Sequence, residues 1–242
     1  VGTDVAKEAA DVILTDDNFA TVVSAVGEGR RIYDNILKAI QFLLSSNIGE
    51  IVTLFVAILI TPWLSKVFGI DINLIQTLLP IHLLWINLVT DSLPALALAV
   101  DPAEADVMER KPLKHKGGVF TKGMTWRVIY QGIMIGLITL AAFILGLSTP
   151  GKTPEEKVLI GQTMAFYVLS LSELVHIFNI RNNHKSIFKT NPFNNGKLIL
   201  AGIISATLMF VILFTSHLRE IFSITLLPKD HIFEIILLGI PG

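Results

Sequence analysis

The sequence predicts an all-α polytopic membrane protein: a bundle of six transmembrane helices preceded by a short soluble segment. Of its 242 residues, 52% are hydrophobic and only 16% are charged, and the mean hydropathy is +0.65. These values differ from the averages of soluble proteins in the direction of a membrane protein. Apolar stretches of about 20 residues, the length that crosses the hydrocarbon of a bilayer, recur along the chain. We therefore expect a lipid bilayer to surround most of the molecule.

The soluble segment comes first and reads as the end of an α/β domain. Its pattern predicts a short helix over Asp4–Ala10, a buried strand over Asp11–Leu14, and a turn at residues 16–18 that caps a helix starting near Phe19. No Pro and no flexible linker separates that helix from the first apolar stretch. We therefore expect the helix to transmit movement of the soluble domain stiffly to the first membrane span. The domains predicted are therefore 1–30 and 31–242.

Six apolar stretches then follow, and they define the membrane domain. Five are long enough to cross a bilayer, whereas the last is short. The last stretch either is cut off at the end of the sequence or is an interfacial or re-entrant piece. The predicted spans are about 36–60, 81–100, 128–147, 162–180, 198–216 and 232–242.

The distribution of Lys and Arg predicts the orientation. Fourteen of these residues fall before the first span and in the loops on the same side, and five fall on the other side. Because short loops rich in Lys and Arg stay in the cytoplasm, we expect a multi-pass protein of the cell membrane whose first residues are cytoplasmic.

Three carboxylates within these spans predict a cation site. Glu50, Asp91 and Glu173 each lie in a different apolar stretch, where an ionised group is costly and by default faces the interior of the bundle. Oxygen-bearing neighbours at helical spacing share a face with two of them. Mixed carboxylate, amide and hydroxyl oxygens suit a hard cation such as calcium. The candidate ligands are Asn47, Glu50, Asn87, Thr90, Asp91 and Glu173.

Two alternatives stay open for these side chains. An acid in a span can also pair with a neighbouring helix or reach an interface, and Glu173 lies nearest to a basic end, at Arg181. His176, one turn after Glu173, more often packs or forms a hydrogen bond than binds a metal. In addition, Pro94 predicts a kinked or unwound helix beside the site, since proline donates no backbone hydrogen bond.

Composition excludes several other functions. A net charge of −1 gives no indication of a nucleic-acid partner. The absence of cysteine excludes disulfides and thiolate metal sites.

Four motifs carry a resemblance to a known family. They are VAKEAADVILTDDNFATVVSAVGEGRRIYDNI, SSNIGEIV, LLWINLVTDSLPALAL and DPAEADVMERKP. Together they resemble the C-terminal part of P-type ATPases of the calcium-transporting, sarcoplasmic-reticulum-like group, and the short loops are typical of a compact bacterial pump. The resemblance covers essentially the whole chain. It implies the end of a HAD-like phosphorylation domain followed by transmembrane helices five to ten, the last truncated.

The same resemblance implies a function and a set of partners. Family members pump calcium through a phosphorylated-aspartate cycle with alternating access and proton countertransport, and they bind their ions between helices four, five, six and eight. Helix four, with a further glutamate, lies outside this sequence. The phosphorylated aspartate and the sites for ATP and Mg²⁺ lie outside it too, so this segment is expected to hold no catalytic or cofactor-binding residue and not to hydrolyse ATP alone. Its expected partners are the other domains and helices one to four of the same pump, without an obligate oligomer.

Details of the motifs bear on the ion. The resemblance implies two calcium ions, because the plasma-membrane and secretory-pathway calcium pumps lack a residue equivalent to Glu50. Gly49 and Asn87 differ from the residues that sodium–potassium pumps carry. A pump for manganese, sodium or protons remains an alternative, as does a passive channel or scaffold. The α/β segment argues against a channel, which has no need of it.

Overall fold

The computed structural model describes residues 3–16, 18–104, 106–111, 122–181 and 194–240. Helices are the only regular structure in this part of the chain, and no β-strand is present there. The elements are α1 (Asp4–Glu8), α2 (Phe19–Phe68), a 3₁₀ turn (Ile72–Leu74), α3 (Pro80–Trp85), a π-helical turn (Ile86–Asp91), α4 (Ser92–Leu98), α5 (Lys122–Leu147), α6 (Pro154–Ile180), α7 (Gly196–Phe214), α8 (Ser216–Phe222) and α9 (Lys229–Gly239).

Five helical stretches in the described residues are long and apolar enough to cross a membrane. They are α2, the stretch Pro80–Leu98, α5, α6 and α7. This confirms the predicted all-α polytopic fold. The sixth predicted span corresponds to α9, which has 11 residues and packs against α6 and α5.

Helix α2 is continuous from the soluble segment into the membrane domain, as predicted. It has 50 residues. Its first turn is capped by Asn18, whose side-chain oxygen accepts a hydrogen bond from Ala20 N at 3.0 Å, while Asp17 of the predicted turn lies outside the described residues. The helix ends at Gly69, whose φ of +65° is the left-handed conformation that favours glycine.

The predicted strand over Asp11–Leu14 is wrong. This segment forms no regular structure, and Val12 and Ile13 are 74% and 52% exposed instead of buried. A strand is stable when its backbone groups pair with a neighbour, and the described residues supply no neighbouring strand. The helix predicted over residues 4–10 is also shorter, because α1 ends at Glu8.

The stretch Pro80–Leu98, here called the broken segment, is interrupted where the sequence predicts it. Pro94 has no N–H to donate to the carbonyl of Thr90, four residues earlier. The turn before it widens into the π-helical Ile86–Asp91, and Ser92 Oγ donates to Asn87 O at 2.7 Å. The irregularity is therefore a local widening that ends at Asp91 itself.

Glycines bring α5 close to its two neighbours. A β-carbon placed on Gly132 would lie 2.5 Å from Ile48 Cγ2 of α2, and one on Gly136 would lie 2.8 Å from the carbonyl oxygen of Gly49. One on Gly146 would collide with the backbone of Gly161 in α6. Small residues allow such close approach of membrane helices. The GxxxG spacing of Gly132 and Gly136 in YQGIMIG predicts packing on the first membrane helix, and these contacts confirm it.

Helix α6 lies at the centre of the bundle. Its packing partners include α5, α9, α2 and the broken segment, and Met164, Phe166 and Leu169 are fully buried. Because the buried residues between Val158 and Ile180 surround the helix, a polar side chain in the middle of α6 is held inside the protein and away from lipid.

Candidate cation-binding site

The three acids predicted to mark the site meet inside the bundle. Glu50 comes from α2, Asp91 from the end of the π turn, and Glu173 from α6. Their exposed fractions are 7%, 1% and 0%, and each interacts electrostatically with the other two. Three like charges in a medium of low dielectric constant repel strongly unless positive charge accompanies them.

Asn87 joins two of the elements that carry these acids. Its Nδ2 donates to Glu50 Oε1 at 2.8 Å and to the carbonyl oxygen of Leu83 at 3.0 Å. The first bond links the broken segment to α2, and the second anchors the amide to its own helix. Asn87 therefore lies beside Glu50 and also holds its carboxylate in position.

Asn47 is anchored in the same way. Its Nδ2 donates to the carbonyl oxygen of Leu43 at 2.6 Å. A main-chain carbonyl only accepts hydrogen bonds, so it fixes the nitrogen end of the amide. In both Asn47 and Asn87, the amide oxygen is then the end left for another partner, and oxygen is the atom that binds a hard cation.

Several oxygens at the site are buried without a donor. Thr90 Oγ1, both oxygens of Asp91 and both of Glu173 receive no hydrogen bond from a main-chain, amide or hydroxyl donor of the described residues, while the Asp91 and Glu173 carboxyl groups lie within hydrogen-bonding reach of each other. Buried polar atoms are nearly always paired in native proteins, and unpaired ones call for a specific explanation. Five acceptors that lack donors, on three neighbouring side chains, favour a positively charged ligand at this point.

The acids do not by themselves form a complete metal site. Within the described residues, no three acidic or histidine side chains are arranged to hold a metal ion. Calcium takes six to eight oxygen ligands, so an ion here would need the amide and hydroxyl oxygens, the carbonyls of the π turn, or groups from elsewhere. Glu173 is enclosed in the bundle and does not lie at an interface.

His176 is engaged in a structural hydrogen bond. Its Nε2 lies 2.8 Å from Ser45 Oγ, and its ring lies 6.3 Å from that of Phe42. The pair links α6 to α2 one turn away from Glu173. Sequence reasoning favoured such a role over metal binding for this histidine.

A second charged group, whose ion pairs the sequence did not predict, lies at the end of the bundle where α6 ends. Asp101 is 3% exposed and accepts hydrogen bonds at 2.8 Å from Arg181 Nε and Asn195 Nδ2. Lys38 Nζ lies 3.8 Å from its other oxygen. These four residues, here called the Asp101 cluster, connect α2, the end of α4, α6 and the cap of α7.

Glu104 extends this cluster towards solvent. It lies 2.9 Å from Lys38 Nζ and pairs with Arg110, which also lies 2.8 Å from Asp34. Burial acts to raise the pKa of Glu104, but the hydrogen bond and charge of Lys38 and the charge of Arg110 outweigh it and hold that pKa below its usual value. The surrounding acids, Asp106 first, raise the pKa of Arg110.

Five apolar spans and an acidic site enclosed between them define a multi-pass membrane protein. Residues 75–241 match the family model described as "Cation transporting ATPase, C-terminus". The chain therefore belongs to the cation-transporting ATPase family, as its C-terminal part, and the resemblance seen in the sequence motifs is confirmed.

Bacterial proteins named as calcium-transporting ATPases are similar to this chain. Calcium-transporting ATPase 1 of Bacillus cereus is 46% identical, over 99% of this chain and 27% of its own length. The calcium-transporting ATPase of Bacillus subtilis is 44% identical, over 99% and 25%, and calcium-transporting ATPase 1 of Lactococcus lactis is 37% identical, over 92% and 23%. The chain thus spans about a quarter of the length of the curated relatives it matches.

Proposed function

We propose that this chain is the ion-binding and transport part of an ATP-driven calcium pump of the cell membrane. The observation that carries the proposal is the set of buried acceptors without donors on Thr90, Asp91 and Glu173, beside a Glu50 that α2 holds within the bundle. The names of the similar bacterial proteins support calcium as the ion.

The proposed ligands come from three helical stretches. Asn47 and Glu50 contribute from α2, and Glu173 from α6. Three residues of the broken segment contribute amide, hydroxyl and carboxylate oxygens: Asn87, Thr90 and Asp91. Two calcium ions carry four positive charges against three negative ones here, so a further acid from another helix of the pump would complete the site.

Charge balance also suggests how the proposed pump would complete its cycle after calcium has left. Three carboxylates in a low-dielectric interior need either cations or protons. When calcium has left, protons taken up by the same groups would satisfy them, which makes proton countertransport a consequence of the site.

Helix α2 would connect the cation site to the phosphorylation domain of the pump. We propose that the first residues are cytoplasmic and adjoin a phosphorylation domain, with ATP and Mg²⁺ bound elsewhere in the pump. Because α2 carries Glu50 on the same uninterrupted helix, movement of that domain would reach the site directly.

The test is calcium activation of ATP hydrolysis by the intact ATPase that contains this segment. Glu50→Gln and Asp91→Asn each remove a proposed ligand charge, and we expect the calcium concentration for half-maximal activity to rise by more than about tenfold. Glu220→Gln is the matched control, since this acid is exposed on α8 and lies outside the site. Unchanged calcium activation in both site variants would refute the assignment.

A second experiment must distinguish calcium from other hard cations as the transported ion. The same assay with manganese or sodium in place of calcium decides this, because oxygen sites overlap in preference. Activation by manganese or sodium alone would point to a pump for that cation.

A further inference from the structure

An apolar groove lies between α6, α7 and α9, away from the cation site. It encloses a volume of about 200 Å³. Its walls are formed by side chains from all three helices, including Tyr167, Leu174, Ala206, Met209, Ile232 and Ile236. Neither the proposed ligands nor the Asp101 cluster borders it.

The groove offers no hydrogen bond to water. The hydroxyl of Tyr167, a polar group in its wall, donates to the carbonyl oxygen of Met209 at 3.0 Å. Apolar cavities of this size stay dry and take up apolar molecules. Because α6 and α7 are membrane-spanning helices, the apolar molecules available around the groove are lipid chains.

Two aromatic rings form an exposed wall of the groove. Phe210 and Phe214 are 59% and 69% exposed and stack on each other with centroids 6.3 Å apart and an interplanar angle of 13°. Both also line the groove. This surface gives a hydrocarbon chain a flat face to pack on, continuous with the interior of the groove.

A cation lies at one end of this groove. Arg219 of α8 donates from Nη1 to the carbonyl oxygen of Leu213 at 2.7 Å, and Leu213 lines the groove. Arg219 also interacts electrostatically with Tyr167. No carboxylate of the described residues lies within ion-pair distance of Arg219. A planar guanidinium with unused donors suits a phosphate group.

We propose that this groove binds one anionic glycerophospholipid, with an acyl chain between α6, α7 and α9 and its phosphate on Arg219. The length of α7, 19 residues, places Arg219 near one membrane surface and the groove below it. In the proposed orientation this is the outer leaflet. The lipid holds the short α8 and α9 against α6, and it does not take part in the cation site.

The experiment measures lipid association with the intact ATPase in phosphatidylcholine vesicles. Spin-labelled phosphatidylglycerol and spin-labelled phosphatidylcholine are compared by the fraction of label that the protein immobilises. We expect the protein to prefer phosphatidylglycerol, and Arg219→Gln to lower that preference by about fivefold. Lys66→Gln is the matched control, since it removes an exposed cation from the end of α2 without touching the groove.

A second variant tests the acyl chain. Ala206→Leu fills part of the groove, and we expect it to reduce immobilisation of both lipids while calcium-activated hydrolysis persists. Equal preference for the two lipids in the unchanged protein would overturn the proposal, whether the groove stays empty or another segment of the pump covers it. So would an Arg219→Gln variant with unaltered preference. The measurements of lipid immobilisation do not depend on calcium being the transported ion.

Discussion

At the scale of single residues, Asp101 has more charged and polar partners than any acid in the predicted site. Its carboxylate meets Arg181, Asn195 and Lys38, and its carbonyl oxygen accepts from Asn35 Nδ2 at 2.8 Å. The partners come from three helical elements, so this single side chain fixes how the ends of those elements lie together.

Removing that charge is expected to be costly. Asp101→Asn leaves Lys38 and Arg181, which are 3% and 5% exposed, without the carboxylate they share, and breaking a buried ion pair costs about 3 kcal/mol or more. Unfolding in mixed detergent micelles measures the loss. Glu104→Gln serves as control, because its side chain is 20% exposed and the loss there should be smaller. Equal losses in the two variants would contradict the prediction.

The lowered pKa of Glu104 predicts that the stability of the protein depends on pH. Its pKa is lower in the folded protein than the usual 4.5, so the folded state favours the ionised form. The resulting stabilisation is fully present above the unfolded pKa and is lost as pH falls through the folded one.

We therefore expect wild type to be more stable than Glu104→Gln at pH 7, and this difference to shrink as the pH falls below the usual pKa of 4.5. Unfolding midpoints at a series of pH values measure this difference. A difference that stays constant from pH 7 to pH 3 would show that Glu104 does not act through its charge.

The residues of the candidate site were accessible from sequence, whereas the ion pairs of the Asp101 cluster were not. Glu50, Asp91 and Glu173 stand out because a charge in an apolar stretch is costly wherever the chain folds. Asp101 and Arg181 are 80 residues apart and both follow helices, where charges are ordinary. Their pairing depends on tertiary packing, which no local pattern records.

At the scale of helices, close contacts between α5 and its neighbours decide the packing. Gly132 approaches Ile48 and the carbonyl oxygen of Ser45 so closely that a β-carbon would lie within 2.8 Å of each. The sequence pattern GxxxG indicated this contact. It did not indicate the contact between Gly146 and Gly161, because neither glycine belongs to a GxxxG pattern.

A methyl group at Gly132 should therefore disturb the α2–α5 contact. We expect Gly132→Ala to destabilise the protein by about 1–3 kcal/mol through overpacking. Gly202→Ala is the matched control within a membrane helix, because nothing lies within 4 Å of its β-carbon position. Detergent unfolding compares the two, and a loss in Gly202→Ala as large as that in Gly132→Ala would contradict the packing argument.

The helices also show where local patterns mislead. The apolar residues Val12, Ile13 and Leu14 predict a buried strand, but a strand depends on partners outside its own sequence. Pro94 correctly predicts the interruption, because proline removes its own hydrogen bond whatever surrounds it. Sequence did not distinguish a π turn from a kink, since the neighbouring helices decide how the freed backbone is accommodated.

At the scale of the whole molecule, α2 extends from the soluble segment to the far end of the membrane domain. Its stiffness predicts the outcome of an insertion. In the proposed pump, four glycines added after Gly29 should leave calcium binding intact but lower the calcium transported per ATP hydrolysed, because glycine makes a helix flexible and weak.

Four alanines at the same place are the matched control. They add the same number of residues, slightly more than one helical turn, yet they preserve the helix, so coupling should be reduced less. Transport and hydrolysis measured together in sealed vesicles give the ratio. If the two insertions gave equal amounts of calcium transported per ATP hydrolysed, the stiffness of α2 would not be what couples the site to the phosphorylation domain.

The position of α5 between two glycine contacts has a consequence for motion. Backbone touches backbone or nearly so on both of its sides, at Gly136 towards α2 and at Gly146 towards α6. Densely packed elements cannot slide past one another without clashes, so we expect α2, α5 and α6 to move together near these contacts. Ile51 of α2 and Leu88 of the broken segment both have exposed apolar side chains. In the proposed pump, opening and closing of the ion pathway would then shift the broken segment relative to these three helices moving as one unit.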